Sequence, residues 1–219
     1  LTGAAVTLDT PGGPKVVPAE LVPGPSVGFA YEAKLAGLEP GTNYTVHVQD
    51  RAFAFRTPPA TPAAFTFAAL GDMGVEAPAP ASVKAIQDAG ADLVLISGDI
   101  SYAGGDPTVW KQWFALVEPS AATIPWMTAL GNHEADVEGA QEPILSTNVV
   151  DPTEQAFYKQ RFGLPGNELW YSFDWAGAHF VALDTFSGAI RLAESLDVRL
   201  AAEEILIALE RTRIVRLPG

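Results

Sequence analysis

Cysteine is missing from the 219 residues altogether, and histidine occurs only three times, at His47, His133 and His179. The first absence excludes disulfides, thiolate zinc sites and a cysteine nucleophile, and it leaves the compartment open. No apolar run approaches the roughly 20 residues that a bilayer-spanning helix requires. No charged-then-apolar leader opens the chain, which starts at Leu1. Positive charge is scarce: 13 Lys and Arg stand against 26 Asp and Glu, for a net charge of −13. That balance argues against nucleic acid or an anionic membrane as a partner. An acidic chain can still bind phosphate esters where metal cations supply the local positive charge.

Hydrophobic residues make up 48% of the sequence, enough for one full core or for one core plus a small module. Residues 1 to about 57 read as β. The segment VGFAYEAKLAGLEPGTNYTVHVQDRAFAFRT predicts two or three short strands, with a tight turn at Pro40-Gly41. Tyr44, Val46 and Val48 alternate with Thr45, His47 and Gln49, the period of a half-buried strand. The prolines of TPPATPAA (57–64) mark a linker or domain edge, dividing the chain into a β-module over 1–60 and a second domain over 61–219.

From Phe65 the order becomes strand, helix, strand. FTFAAL (65–70) predicts a short apolar strand, Val83 and Ile86 share a helical face that Gly90 ends, and DLVLIS (92–97) is the next strand. Asp106-Pro107 suits the cap and first turn of another helix. Its expected buried stripe is Val109, Trp110, Trp113, Phe114 and Val117. IPWMTAL (124–130) is a third strand, and LWYSFDWAGAHFVALDT (169–185) is a hairpin turning near Ala176-Gly177. Leu192, Leu196, Leu200, Ile205 and Leu209 carry a last amphipathic helix over about 190–212. This alternation predicts a layered α/β domain whose ligand site lies beyond the carboxyl ends of its strands.

Three of those strand ends share a pattern. Gly71-Asp72, Gly98-Asp99 and Gly131-Asn132-His133-Glu134 each close an apolar run with glycine plus a side chain suited to metals. Hard cations take oxygen ligands, and a carboxylate on a glycine-held loop can approach them closely. Two neighbouring metals usually need a carboxylate that bridges them. Asp72, Asp99 and Asn132 supply three oxygen donors, and Tyr102, three residues after Asp99, can add a phenolate. A single strand-end Gly-Asp is more often a plain turn. Three in succession, the last running on into His-Glu, read as one site.

Taken in order, GDMG (71–74), GDISYAGG (98–105) and GNHE (131–134) resemble the motifs of the calcineurin-like metallophosphoesterases. Tyr102, in a Gly-Asp-x-x-Tyr motif, narrows the resemblance to the purple acid phosphatases. YEAKLAGLEPGTNYTVHV and FAFRTPPA resemble the fibronectin type III-like module that precedes the catalytic domain in larger members. The resemblance runs from about residue 28 to about 185 and implies a four-layer α/β/β/α sandwich, incomplete here, behind a partial all-β module. It implies Fe³⁺ plus a divalent ion (Zn, Mn or Fe), with Asp72 and Tyr102 on the ferric ion and Asp99 bridging. Asn132 would bind the divalent ion through its amide oxygen, and His133 would face the substrate phosphate and help the leaving alcohol. The implied activity is a secreted, extracellular or vacuolar acid phosphatase that hydrolyses small phosphate monoesters by attack of metal-bound hydroxide. His47 and His179 read as structural.

One departure from the family pattern carries weight. The family adds three further histidines, one at a later strand end and two in a Gly-His-x-His loop, and no histidine follows His179 here. By that pattern the divalent site keeps fewer ligands than the ferric site, and the chain reads as lacking the C-terminal histidine motifs. Two expectations of function therefore stand side by side: a dimetal phosphomonoesterase, or a truncated or remnant chain with a binding role and no turnover. A phosphodiesterase or nucleotidase of the wider superfamily is a third, disfavoured by Tyr102.

Overall fold

A computed structural model describes residues 4–24, 30–103, 106–131, 133–134 and 152–183. Asn132 and the expected helix over about 190–212 lie outside the described residues. The N-terminal part contains β1 (Ala5–Thr10), β2 (Gly13–Pro18), β3 (Glu20–Val22), β4 (Ala30–Glu32), β5 (Asn43–Val48) and β6 (Arg51–Arg56). Four of these form an antiparallel sheet in the order β2-β1-β5-β6, and β3 pairs with β4 in a separate two-stranded antiparallel sheet. Leu8, Val17 and Tyr44 are buried. Tyr44 lies opposite Phe55 in register, with ring centroids 5.8 Å apart. Its hydroxyl accepts from the Glu39 N–H at 2.8 Å, so the ring buries apolar area while its polar tip stays paired. The alternation expected along β5 is not kept: Tyr44 is buried, Thr45, Val46 and His47 are all half-buried, and Val48 is exposed at the strand end where Gln49 turns the chain with φ 55.

The second part runs β7 (Phe67–Leu70), α1 (Pro78–Asp88), β8 (Leu93–Ser97), α2 (Pro107–Ala121) and β9 (Trp126–Ala129). It continues with α3 (Pro152–Arg161), β10 (Tyr171–Trp175) and β11 (Ala178–Ala182). β7, β8 and β9 form a parallel sheet in that order, each pair joined by a helix, as parallel pairing requires a long crossover. α2 starts where the sequence indicates: the Asp106 side chain accepts from the Thr108 N–H at 2.7 Å, and Pro107 takes the first turn. α3 lies between the expected elements and has a weak apolar stripe, although Asp151-Pro152 repeats the Asp-Pro start of α2.

The two faces of the parallel sheet bury different partners because alternate strand residues point oppositely. Ala68, Val94 and Ile96 face the helices, where Val83, Ile86, Trp110, Trp113 and Val117 close the core and α3 adds Tyr158 and Phe162. A fully buried residue such as Ile86, 0% exposed, contributes about 1.5–3 kcal/mol. On the other face Phe67 meets Phe180 edge-on at 5.7 Å, and Phe180 stacks on Phe173 at 5.1 Å within the β10–β11 hairpin. Helix layer, parallel sheet and second sheet are thus three layers of the expected sandwich. One core expectation needs correction: Phe114 is 37% exposed. Its ring sits at the edge of the stripe and covers Trp110, Trp113 and Phe162 from outside.

Candidate functional site

Backbone pairing between β7 and β8 continues past the strand ends. The Asp72 N–H donates to the Gly98 carbonyl (3.3 Å), Met73 to Asp99 (3.0 Å) and Gly74 to Ile100 (3.0 Å). This ladder sets Asp72 and Asp99 on adjoining loops. The loop after β9 packs against the β8 loop backbone to backbone. A Cβ at Gly98, where φ is +90, would lie 2.8 Å from the Gly131 Cα, and one at Gly131 would lie 2.2 Å from the Asp99 nitrogen. Glycine at these strand ends is therefore a requirement of close approach, and any side chain there pushes the two loops apart.

The side chains converge on the same corner. Tyr102 Oη donates to Asp72 Oδ1 at 2.6 Å, and Asp99 Oδ1 accepts from the His133 backbone N–H at 3.1 Å. The His133 ring lies against the Tyr102 ring with centroids 4.5 Å apart. Asp72, Asp99 and Tyr102 all hold left-handed backbone, with φ 51, 50 and 55. Such residues cost on the order of 1–3 kcal/mol each and persist where the surroundings over-determine them, commonly at functional sites. Gln49, Glu168 and Ala176 also have positive φ but stand singly at turns, so the concentration of three in one loop cluster is the informative feature.

Glu134, which the sequence reading left without a role, is buried beneath this cluster at 5% exposure. Its Oε2 accepts from the N–H groups of Asp99 and Gly131, both at 2.9 Å, and its Oε1 accepts from that of Ile100 at 2.6 Å. Burial pushes its carboxyl up to about 7, against the opposing pull of those backbone donors and with a further push from Asp99. The available signal was its place in Gly-Asn-His-Glu, an acid directly behind the site. The Tyr102 phenol is held well above its ordinary value, first by its hydrogen bond to Asp72, then by burial, then by the charges of Asp72, Asp99 and Glu134.

The donor set suits a hard cation. Two carboxylates and a phenol stand together, and the ion pairs among the described residues do not involve Asp72 or Asp99. A cation placed among them would take over the role of the proton shared by Tyr102 and Asp72 and offset the accumulated negative charge. Among the described residues, no three His, Asp or Glu side chains by themselves form a metal-holding group, and the Tyr102 phenol is the further oxygen donor bonded to Asp72. The other two histidines sit elsewhere: His47 pairs with Asp9 at 2.8 Å, and His179 with Asp174, its cross-strand neighbour, at 2.7 Å.

Layered sheets with acidic strand-end loops define an α/β domain whose candidate site lies beyond the carboxyl ends of its strands. The model of the calcineurin-like phosphoesterase family matches residues 65–190, and the chain belongs to that family. Purple acid phosphatase 22 of Arabidopsis thaliana is 32% identical over 168 residues, which are 73% of this chain and 36% of that protein. The phosphoenolpyruvate phosphatase of Allium cepa is 28% identical over 180 residues, 75% of this chain and 36% of that protein. The solved structure of a purple acid phosphatase from yellow lupin (Lupinus luteus) seeds superposes with a TM-score of 0.67 at 24% identity, over 87% of this chain and 43% of that one. That likeness concerns the fold. The chain spans about a third of the length of the curated relatives it matches.

Proposed function

We propose that this chain carries the strand-end loops of an acid phosphatase acting on small phosphate monoesters. The convergence of Asp72, Asp99, Tyr102 and His133 on one corner of the sheet supports this reading most strongly. In it, Asp72, Tyr102 and Asp99 would hold Fe³⁺, and Asp99 with the Asn132 amide oxygen would hold a divalent Zn, Mn or Fe. Bound cations at such a site offset phosphate charge and acidify water. His133 holds a proton for the leaving alcohol, a role worth about 10²–10⁴-fold where geometry allows. The first 60 residues are a fibronectin type III-like module by the same reading, and the protein is secreted or vacuolar. No helix among the described residues is long and apolar enough to cross a membrane.

A test is hydrolysis of a chromogenic phosphate monoester by chain 1–219 at acid pH with iron and zinc supplied. Slow, metal-dependent turnover that disappears in Asp99→Ala is expected. Metal-independent turnover, or turnover untouched by that substitution, contradicts the reading. The three histidines of the whole sequence favour a second reading, in which the chain binds metal and phosphate without turnover because imidazole is short at the divalent site. Phosphate-ester binding without hydrolysis is its signature.

A further inference from the structure

We propose that Glu134 is the positioning residue of this site, fastening the β9 loop to the β8 loop and so fixing where Asp99 and His133 stand. The proposal rests on the reading of those two as site residues. The bonds themselves point to it. Glu134 Oε2 takes one N–H from each loop, Asp99 from one and Gly131 from the other, and Oε1 takes Ile100. In return Asp99 Oδ1 accepts the N–H of His133, the residue beside Glu134. Each loop thus presents a carboxylate to the backbone of the other, a reciprocal closure like that of a capping box.

This closure explains two features that are otherwise unaccounted for. Asp99 is not glycine yet holds φ 50, a conformation that needs outside support, and its own N–H and the next one are both gripped by Glu134. A buried acid is also costly unless its oxygens are satisfied, and here three backbone donors satisfy them. A loop that only needed apolar filling would carry a leucine. Glutamine offers one acceptor oxygen: placed at Oε2 it keeps the loop-to-loop link, while its NH₂ faces the Ile100 N–H and breaks that bond. Alanine removes all three bonds.

Tb³⁺ binding to chain 1–219 tests the proposal, because this oxygen-seeking trivalent ion is excited through a nearby tyrosine, here Tyr102. Loss of a group that orients a metal ligand typically lowers metal affinity about 10–100-fold. Glu134→Ala is expected to weaken Tb³⁺ binding by that factor, and Glu134→Gln to stay within about threefold of the parent chain. Thr128→Val removes a core hydroxyl bond to Tyr158 without touching either loop, and should leave Tb³⁺ affinity unchanged. Equal losses in Thr128→Val and Glu134→Ala would reduce the effect to general stability and overturn the proposal. So would unchanged affinity in Glu134→Ala.

Amide hydrogen exchange decides the matter without a metal. Faster exchange at Asp99, Ile100 and Gly131 in Glu134→Ala, with β8 amides unchanged, supports the clamp, and unchanged protection at all three refutes it. Where the alanine variant does not fold, Glu134→Gln serves: selective loss of protection at Ile100 supports the clamp, and no change refutes it. If the parent chain binds no Tb³⁺, the metal reading of Asp72, Asp99 and Tyr102 fails, and exchange alone judges Glu134.

Discussion

Gly98→Ala puts the packing of the site loops to a quantitative test. Two costs add at this position. The first is backbone strain: φ is +90, and an L-residue held in left-handed backbone loses about 1–2 kcal/mol relative to glycine. The second is steric. The new Cβ meets Gly131 Cα at 2.8 Å and Gly131 N at 3.0 Å, both backbone atoms that cannot rotate away, and such overpacking costs about 1–3 kcal/mol. The sum is about 2–5 kcal/mol. Gly90→Ala isolates the first cost, since φ there is +61 and a Cβ would meet nothing within 4 Å. That control should lose only about 1–2 kcal/mol. With a urea slope of about 2 kcal/mol/M, the midpoint should fall by roughly 1–2.5 M for Gly98→Ala and by roughly 0.5–1 M for Gly90→Ala. Equal midpoints for the two variants would show that the loops do not meet backbone to backbone, and the geometry built on that contact would fall.

Other expected outcomes follow from single interactions. Thr128→Val leaves the buried Tyr158 hydroxyl without the Thr128 Oγ1 at 2.7 Å, and should cost about 1–3 kcal/mol by urea unfolding. Tyr158 keeps its bond to the Thr128 carbonyl, so the loss should fall toward the low end of that range. In the metal-free chain, Glu134 binds its proton more tightly folded than unfolded, since its carboxyl is raised to about 7. Between the ordinary carboxylate range and about 7 the folded state therefore holds more protons, and this group's contribution to stability falls as pH rises through that window. Urea midpoints at pH 5 and pH 8 should show that slope, and Glu134→Gln should flatten it. His133→Ala should reduce any phosphatase turnover by about 10²–10⁴-fold while leaving Tb³⁺ affinity near that of the parent chain.

Local patterns made much of this chain legible. Val83 and Ile86 share a helical face and are buried in α1, and Asp106-Pro107 begins α2 because capping and a fixed proline φ act within a few residues. The repeated glycine-acid strand ends led to the site corner. What the sequence hid depends on distant partners. Tyr102 reaches Asp72 only because backbone pairing runs past the ends of β7 and β8, and nothing within GDISYAGG reveals that ladder. Glu134 stands in the sequence as the acid that ends Gly-Asn-His-Glu, and its role shows only where three amides from two loops converge on it. Phe114 fits the helical stripe by spacing, but its exposure depends on where the stripe's edge falls against Phe162, a residue nearly fifty positions later. α3 was hidden because its sequence is mostly polar and its burial comes through Tyr158, a residue whose hydroxyl is paired with Thr128.

Asp72, Asp99 and Tyr102 are proposed above as one oxygen-donor site for a trivalent metal. Visible absorption during titration of metal-free chain 1–219 with Fe³⁺ tests it most directly, because a phenolate bound to ferric iron produces a charge-transfer colour. Expected are a saturable visible band in the parent chain, its loss in Tyr102→Phe, and a urea midpoint for that variant shifted by no more than about 1 kcal/mol of stability, since only one partly exposed hydroxyl bond is removed. A band that survives unchanged in Tyr102→Phe, or no band in a parent chain whose Asp72 and Asp99 demonstrably bind the ion, would contradict it.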